Sequence, residues 1–283
     1  MTDATMTDAA EPAEAYLSPP VQRAAALLRQ IAGGDRVDNM SRTARALDIN
    51  RTTLLRLLHT LHAEQFIEPD GERGGWRIGI GLIGLAAQAF YSQDLVQAAV
   101  GAADRLVESL GLSAHLAVLD GREVVFVLRR TPNLFIASNI RVGSRLPAHA
   151  ANLGRIILAH LPDEQVERLY RNRTMPAVTA HTPTTLAQLR RRLQEDREAG
   201  LAWSDGYVEA GLISVAAAVF DATGSPVAAL NVSGRSSDFE GQRERIGAAL
   251  RDAAESISRR LGWHPSARPL APAQDAARLF GQF

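Results

Sequence analysis

The sequence predicts an α/β two-domain (α+β) chain: a helical N-terminal unit closed by a hairpin, a connecting helix, and a C-terminal domain of mixed strands and helices. Three observations carry this. Apolar residues recur at helical spacing between Val21 and Leu61. The segment "FIEPDGERGGWRIG" then reads as strand, turn and strand. From Ser113 onward, two-residue alternation sets in and strand patterns interleave with helical ones.

The first 19 residues are acidic, small and end in proline, and they read as a disordered tail. Val21 to Ile31 follows as a helix, with Val21, Ala24, Leu27, Leu28 and Ile31 on its apolar face and Gly33-Gly34 as its stop. "SRTARALD" and "NRTTLLRLLHTLHAEQ" are two more helices, separated by little more than Asp48-Ile49-Asn50. Ser41 is the expected N-cap of the first, and Asn50 that of the second. Asp48 falls where the tight turn wants a left-handed residue.

Gly81 to Leu110 is helical, in two pieces meeting near Ser92-Gln93-Asp94. "SAHLAVLDGREVVFVLRRT" alternates around an Asp120-Gly121 turn, a hairpin. "LFIASNIRVG" reads as a strand; "AANLGRIILAHL", "EQVERLY" and "TLAQLRRRLQEDREAG" read as helices. Two apolar strands in "ISVAAAVFDATGSPVAALNVSG" and an amphipathic helix, "GQRERIGAALRDAAESISRRLG", complete the pattern. The chain therefore divides into a tail (1–19), a winged helix-turn-helix (20–80), a linker helix (81–93), a C-terminal domain (94–262) and a second tail (263–283).

Composition narrows the function. The chain has no cysteine, which excludes disulfides, thiol catalysis and cysteine-bearing metal sites. Its histidines are scattered without ligand spacing, so no metal and no cofactor is expected. Formal charge is zero and every basic side chain is arginine, so any attraction to nucleic acid has to come from a local patch. No apolar run is long enough to cross a bilayer, and the N-terminus lacks the basic and apolar regions of a secretory signal. A cytoplasmic address is the expectation. Ser113 and His115, alternate residues on one strand, read as an ordinary surface pattern.

The helix pair supplies such a patch. Between Ser41 and Thr60 there are four arginines and one acid. Arg51, Thr52, Thr53 and Arg56 fall on the outward, N-terminal face of the second helix, while Leu54, Leu57, Leu58 and Leu61 form its buried stripe. A recognition helix enters the major groove with those N-terminal residues, where arginine reads guanine and threonine takes phosphate or a thymine methyl. Ser41 and Arg42 add contacts from the first helix, and Arg73 and Arg77 arm the hairpin as a wing along the DNA backbone.

One motif points elsewhere. Gly79, Gly81 and Gly84 in "GIGLIGLAA" fit G-x-G-x-x-G, the fingerprint that brings backbone amides to a dinucleotide pyrophosphate. A nicotinamide-dependent oxidoreductase is the rival reading that follows. It fails on context, because the preceding strand is short and charged and a second helix stands where a parallel strand should follow. Gly79 and Gly84 are better explained by turn geometry and close packing. A further rival is a ligand-binding module whose winged helix contacts only protein.

"NMSRTARALDINRTTLLRLLHTLHAEQFIE" with "GGWRIGIGLIGLA", and farther on "VGSRLPAHAANLGRIILAHLP", "GLISVAAAVFDATGSPVAALNVSG" and "ISRRLG", resemble the IclR-type bacterial transcriptional regulators over residues 20 to 262. The resemblance implies a GAF-like antiparallel-sheet domain that binds a small organic acid and controls operator binding by a homodimer or dimer of dimers. Carried over residue by residue, the ligand positions are Phe135, Ser138, Asn152, Leu153, Asp205, Leu212, Ser214, Asn231 and Ser233. Asn231 and Ser233 share one strand face, and two polar groups in an apolar run need partners, either a ligand or one another and buried water. Asn152, at a helix start, adds donors that a carboxylate would satisfy. The chain departs from the family at "SDGYVEAG", where Gly206 and Tyr207 replace common glutamates. Its phrasing looks most like members governing breakdown of aromatic acids such as protocatechuate or hydroxybenzoate.

Overall fold

The computed structural model describes residues 17–91, 94–132, 140–205 and 211–264. It divides into two compact units at Ser92/Gln93. The first tail, to residue 16, and the second, from residue 265, lie outside the described residues.

The N-terminal unit is α1 (Pro19–Ala32), α2 (Met40–Ala46), α3 (Arg51–Ala63), β1 (Ile67–Pro69), β2 (Trp76–Ile78) and α4 (Ile80–Tyr91). Pro19 and Pro20 open α1, where a missing N–H costs nothing, so the helix starts inside the segment expected to be tail. Leu27, Ile31, Ala44, Leu54, Leu58, Leu61 and Ile67 close one apolar core. Val21 is not part of it: it is 66% exposed, one turn ahead of Ala24, where the packed stretch of α1 begins. Leu57 sits at the rim rather than the centre.

Asn39, not Ser41, caps α2 by accepting the Arg42 N–H at 3.0 Å. Asparagine serves that position as well as serine, and the cap lies two residues earlier than expected. Asp48 takes φ 50° in the turn, and Asn50 accepts the Thr53 N–H at 2.7 Å to cap α3. The hairpin pairs Ile67 with Ile78 and Pro69 with Trp76. Its Trp76 N–H also donates to the Arg36 carbonyl at 2.8 Å, tying the wing to the α1–α2 connection.

The glycine fingerprint is a packing device. A Cβ on Gly79 would lie 2.4 Å from the Gln65 carbonyl oxygen, and one on Gly81 would lie 2.8 Å from it. Gly84 has open space around it, so of the two glycines read as packing positions only Gly79 is one, and Gly81 is its companion.

The C-terminal unit is α5 (Asp94–Leu110), β3 (Ser113–Asp120), β4 (Glu123–Arg130), β5 (Arg145–Pro147), α6 (Asn152–His160), α7 (Asp163–Tyr170), α8 (Leu186–Ala199), β6 (Ala202–Asp205), β7 (Leu212–Phe220), β8 (Pro226–Arg235), α9 (Ser236–Phe239) and α10 (Arg243–Arg260). The six strands form one antiparallel sheet in the order β5-β4-β3-β8-β7-β6. Alternation sorts the side chains. Leu116, Val215, Leu230 and Val232 pack with α5 and α10 on one face, while Ala117, Phe126, Ala216 and Ala229 pack with α6 and α8 on the other.

Two short strands were not legible: β5 is three residues and β6 four, too short to show a period. Most of the strand expected at "LFIASNIRVG" lies outside the described residues, and its described end, residues 140–143, is not strand. Among the described residues no helix is long and apolar enough to cross a membrane, and no three acidic or histidine side chains gather to hold a metal.

Candidate functional site

Two surfaces collect the nominated residues. On the N-terminal unit, the caps of α2 and α3 turn Ser41, Arg51, Thr52 and Arg56 into solvent, with Thr53 half-buried beneath them. The five nominated arginines differ in their freedom. Arg42 is held by Asp35 and Asp38 at 3.3 and 3.2 Å, and Arg77 pairs with Glu68 across the hairpin at 2.6 Å. Arg51, Arg56 and Arg73 make no ion pair among the described residues, so their full charge faces outward. Arg73 rides on the wing turn, where the Asp70 carboxylate accepts its N–H at 3.2 Å.

The second surface is the α6-covered face of the C-terminal sheet. Strand register lines up four serines across it: Ser204 opposite Ser214, Ser214 opposite Ser233, and Ser233 opposite Ser113. The next row runs Ala202, Ala216, Asn231, His115 and Arg129. Paired residues share a face, so seven polar side chains stand together on a sheet face whose other buried side chains, Ala117, Phe126, Ala216 and Ala229 among them, are apolar.

α6 sits over this track and brings Asn152 in its first turn. The Asn152 amide donates to Ser214 Oγ at 3.0 Å and to the Ala202 carbonyl at 3.3 Å, and its Oδ1 accepts the Leu153 N–H at 2.9 Å. Asn231 Oδ1 accepts from His115 Nδ1 at 3.1 Å. The two asparagines therefore find partners inside the protein, where the sequence had pointed to a ligand for both. Leu153 packs its side chain into the core, and its N–H is already taken. Leu212 and Ser233 are half-buried on the track face. Asp205 stands opposite Ile213 in β6. Phe135 and Ser138 lie outside the described residues.

Sequence reasoning misjudged His115 and Ser113, which are 1% and 8% exposed rather than on the surface. It also missed Arg129. Burial lowers the His115 pKa to about 4, against the raising effect of the Asn231 hydrogen bond and with the Arg129 charge adding to the drop. The imidazole is neutral at physiological pH. The usable signals were the polar Asn231 in an apolar run and the double arginine closing β4. One arginine of that pair turns to each face: Arg130 binds Asp104 of α5 at 2.7 Å, leaving Arg129 on the track side.

The position of α6 is fixed by a buried ion pair. Arg155, fully buried, donates to Asp196 of α8 at 2.8 Å and to the Trp203 and Ala150 carbonyls at 2.6 and 3.2 Å. Burial outweighs the Arg155 attraction and holds the Asp196 carboxyl above the usual range. Gly154 allows the same approach, since a Cβ there would come within 2.3 Å of the Ala148 carbonyl oxygen.

Comparison with known proteins bears on both surfaces. Residues 20–71 match the model of the IclR helix-turn-helix domain, and residues 87–259 match that of the bacterial transcriptional regulator IclR C-terminal domain. The HTH-type transcriptional repressor AllR of Escherichia coli K12 is 29% identical over 254 residues, 89% of this chain and 94% of AllR. An IclR transcriptional regulator from Alicyclobacillus acidocaldarius superposes with a TM-score of 0.77 at 28% identity, covering 87% of this chain and all of that one. An IclR homologue from Microbacterium hydrocarbonoxydans, crystallised with 4-hydroxybenzoate, gives 0.75 at 27% identity over 86% of this chain and 98% of its own.

Proposed function

The chain belongs to the IclR family of bacterial transcriptional regulators, and from that premise we propose that it is a cytoplasmic repressor released or engaged by a small organic acid. It is a transcriptional regulator and not an enzyme, which disposes of the nicotinamide reading of Gly79–Gly84. In this proposal Arg51, Thr52, Thr53 and Arg56 read base edges in the major groove. Ser41, Arg42, Arg73 and Arg77 hold the phosphates. A homodimer, or a dimer of dimers, places two such helices on a partly palindromic operator. Repression is the activity named for the AllR relatives.

The observation that carries the sensing half is the polar track under α6: seven polar side chains held on a buried sheet face that apolar packing would otherwise fill. Asn152, Ser214, Asn231 and Ser233 sit at its centre, with Phe135, Ser138, Leu153, Asp205 and Leu212 assigned to its surroundings by family likeness. The 4-hydroxybenzoate bound by the Microbacterium homologue supports an aromatic acid as effector. The chain passes from one unit to the other through α4 and α5, so a ligand that favours one arrangement shifts operator affinity. DNA shifts ligand affinity by the same factor.

The test is fluorescence anisotropy of a duplex from upstream of the protein's own gene, titrated across a salt series with and without a pool of aromatic and aliphatic acids. Binding that loosens steeply with salt and moves with the pool is the expected result. Affinity equal to that for scrambled DNA at every salt concentration would refute operator reading by this chain on that sequence. A salt-independent interaction would favour a wing that contacts protein.

A further inference from the structure

We propose that His115 and Arg129 form the end of the effector site that reads a hydroxyl group, so that the effector is a hydroxy-substituted organic acid. This rests on the reading of the α6-covered sheet face as the effector site.

Among the described residues, two buried side-chain nitrogens on that face have no hydrogen-bond partner: His115 Nε2 and Arg129 Nε. They belong to residues directly opposite each other in the β3–β4 ladder. An orphaned buried polar atom costs about 1–3 kcal/mol, so two on neighbouring residues call for a common explanation.

Their chemistry is complementary. Asn231 Oδ1 is an acceptor and faces His115 Nδ1, so Nδ1 carries the proton and Nε2 presents a lone pair. The ring is neutral because it is buried, and Phe126 packs edge-on against it with centroids 5.7 Å apart, fixing its plane. Arg129 Nε–H can only donate. Its guanidinium makes no ion pair among the described residues, whereas the adjacent Arg130 has Asp104.

One group satisfies both atoms with a single oxygen. A hydroxyl donates to Nε2 and accepts from Nε–H. A carboxylate only accepts, an ammonium group only donates, and an alkyl group does neither. The carboxylate of the same ligand is left to the serine row and the start of α6. There the Ser214 and Ser233 hydroxyls and the Asn231 amide hydrogens can donate, and among the described residues none of them bonds a carboxylate.

The experiment is isothermal titration calorimetry of the full chain with matched acids: benzoate, 3- and 4-hydroxybenzoate and 4-methoxybenzoate, then hexanoate and 6-hydroxyhexanoate. At least one hydroxy acid should bind about tenfold or more tightly than its unsubstituted partner, the size set by one buried hydrogen-bond pair. The methoxy compound, which has lost the donor, should fall to the level of benzoate. In His115→Phe and, separately, Arg129→Leu, the ratio of hydroxy to unsubstituted affinity should collapse toward one. Because the ratio in the unaltered chain is the first reading, the result survives if either variant fails to fold. Acids that bind with no preference for the hydroxyl overturn this inference alone, and the two nitrogens then share a buried water. Failure of every acid to bind overturns the organic-acid reading together with it.

Discussion

The outer face of α3 and the polar track of the C-terminal sheet use overlapping chemistry under opposite conditions. Arg51 and Arg56 stand in solvent with no ion pair among the described residues, on a helix whose other side is leucine. Arg129, His115 and Asn231 stand on a packed sheet face with Asn152 of α6 over it, and all but the arginine are nearly inaccessible. Exposed charges interact through a high dielectric, add nearly independently and fade with salt. Buried groups interact strongly, depend on one another, and penalise any vacancy. The first arrangement suits a repeating polyanion approached from many registers. The second suits one small molecule of fixed shape.

That contrast can be tested, beginning where the effect is largest. Removing one partner of the buried Arg155–Asp196 pair by Asp196→Ala should cost about 3–5 kcal/mol of stability, because Arg155 is left charged and fully buried. Urea unfolding should show it as a lowered midpoint. A loss below about 1 kcal/mol would mean that the buried side of the comparison behaves like a surface.

Acid comes next. The His115 pKa is about 4 in the folded chain and 6.5 in the unfolded one, so between those values the unfolded chain takes up a proton that the folded chain refuses. Stability is fully present above pH 6.5 and falls by about 3 kcal/mol as the pH drops to 4. Burial lowers the pKa of His149 and His160 in the same sense, which adds to the slope. His115→Gln, which does not titrate, should flatten the dependence of the melting temperature on pH in this window. An unchanged slope would place the titration elsewhere.

The exposed face should give the smallest and most graded effects. Arg51→Ala should weaken operator binding by about 1–3 kcal/mol and relax base preference, whereas Arg77→Ala should cost less, since Glu68 already holds that guanidinium. Equal losses measured by anisotropy would show that the hairpin ion pair opens on DNA and that the two arginines do not differ as described.

Local signals made much of this fold readable. Asp48 in the left-handed turn, Asn50 capping α3 and the Asp120-Gly121 hairpin all depend on residues within four positions of one another. The track was only half readable. Asn231 and Ser233 betrayed themselves as polar residues in an apolar run, but their neighbours could not be found that way. His115 and Asn231 are 116 positions apart, and α6, which packs over their strands, lies between them in the chain. Read alone, a serine and a histidine two apart look like a wet strand. The cap at Asn39 was lost to a closer competitor, Ser41, with nothing local to separate them.

The tight seat of Gly79 and Gly81 on the Gln65 carbonyl has a practical consequence for building hybrid regulators. A splice placed before Gly81 would hand a foreign side chain to a position with no room for even a methyl group, and the wing would lose its footing on the end of α3. Gly84 faces open space. A sensing module borrowed from another protein should therefore be joined downstream of it, so that everything up to residue 84 travels as one interchangeable part.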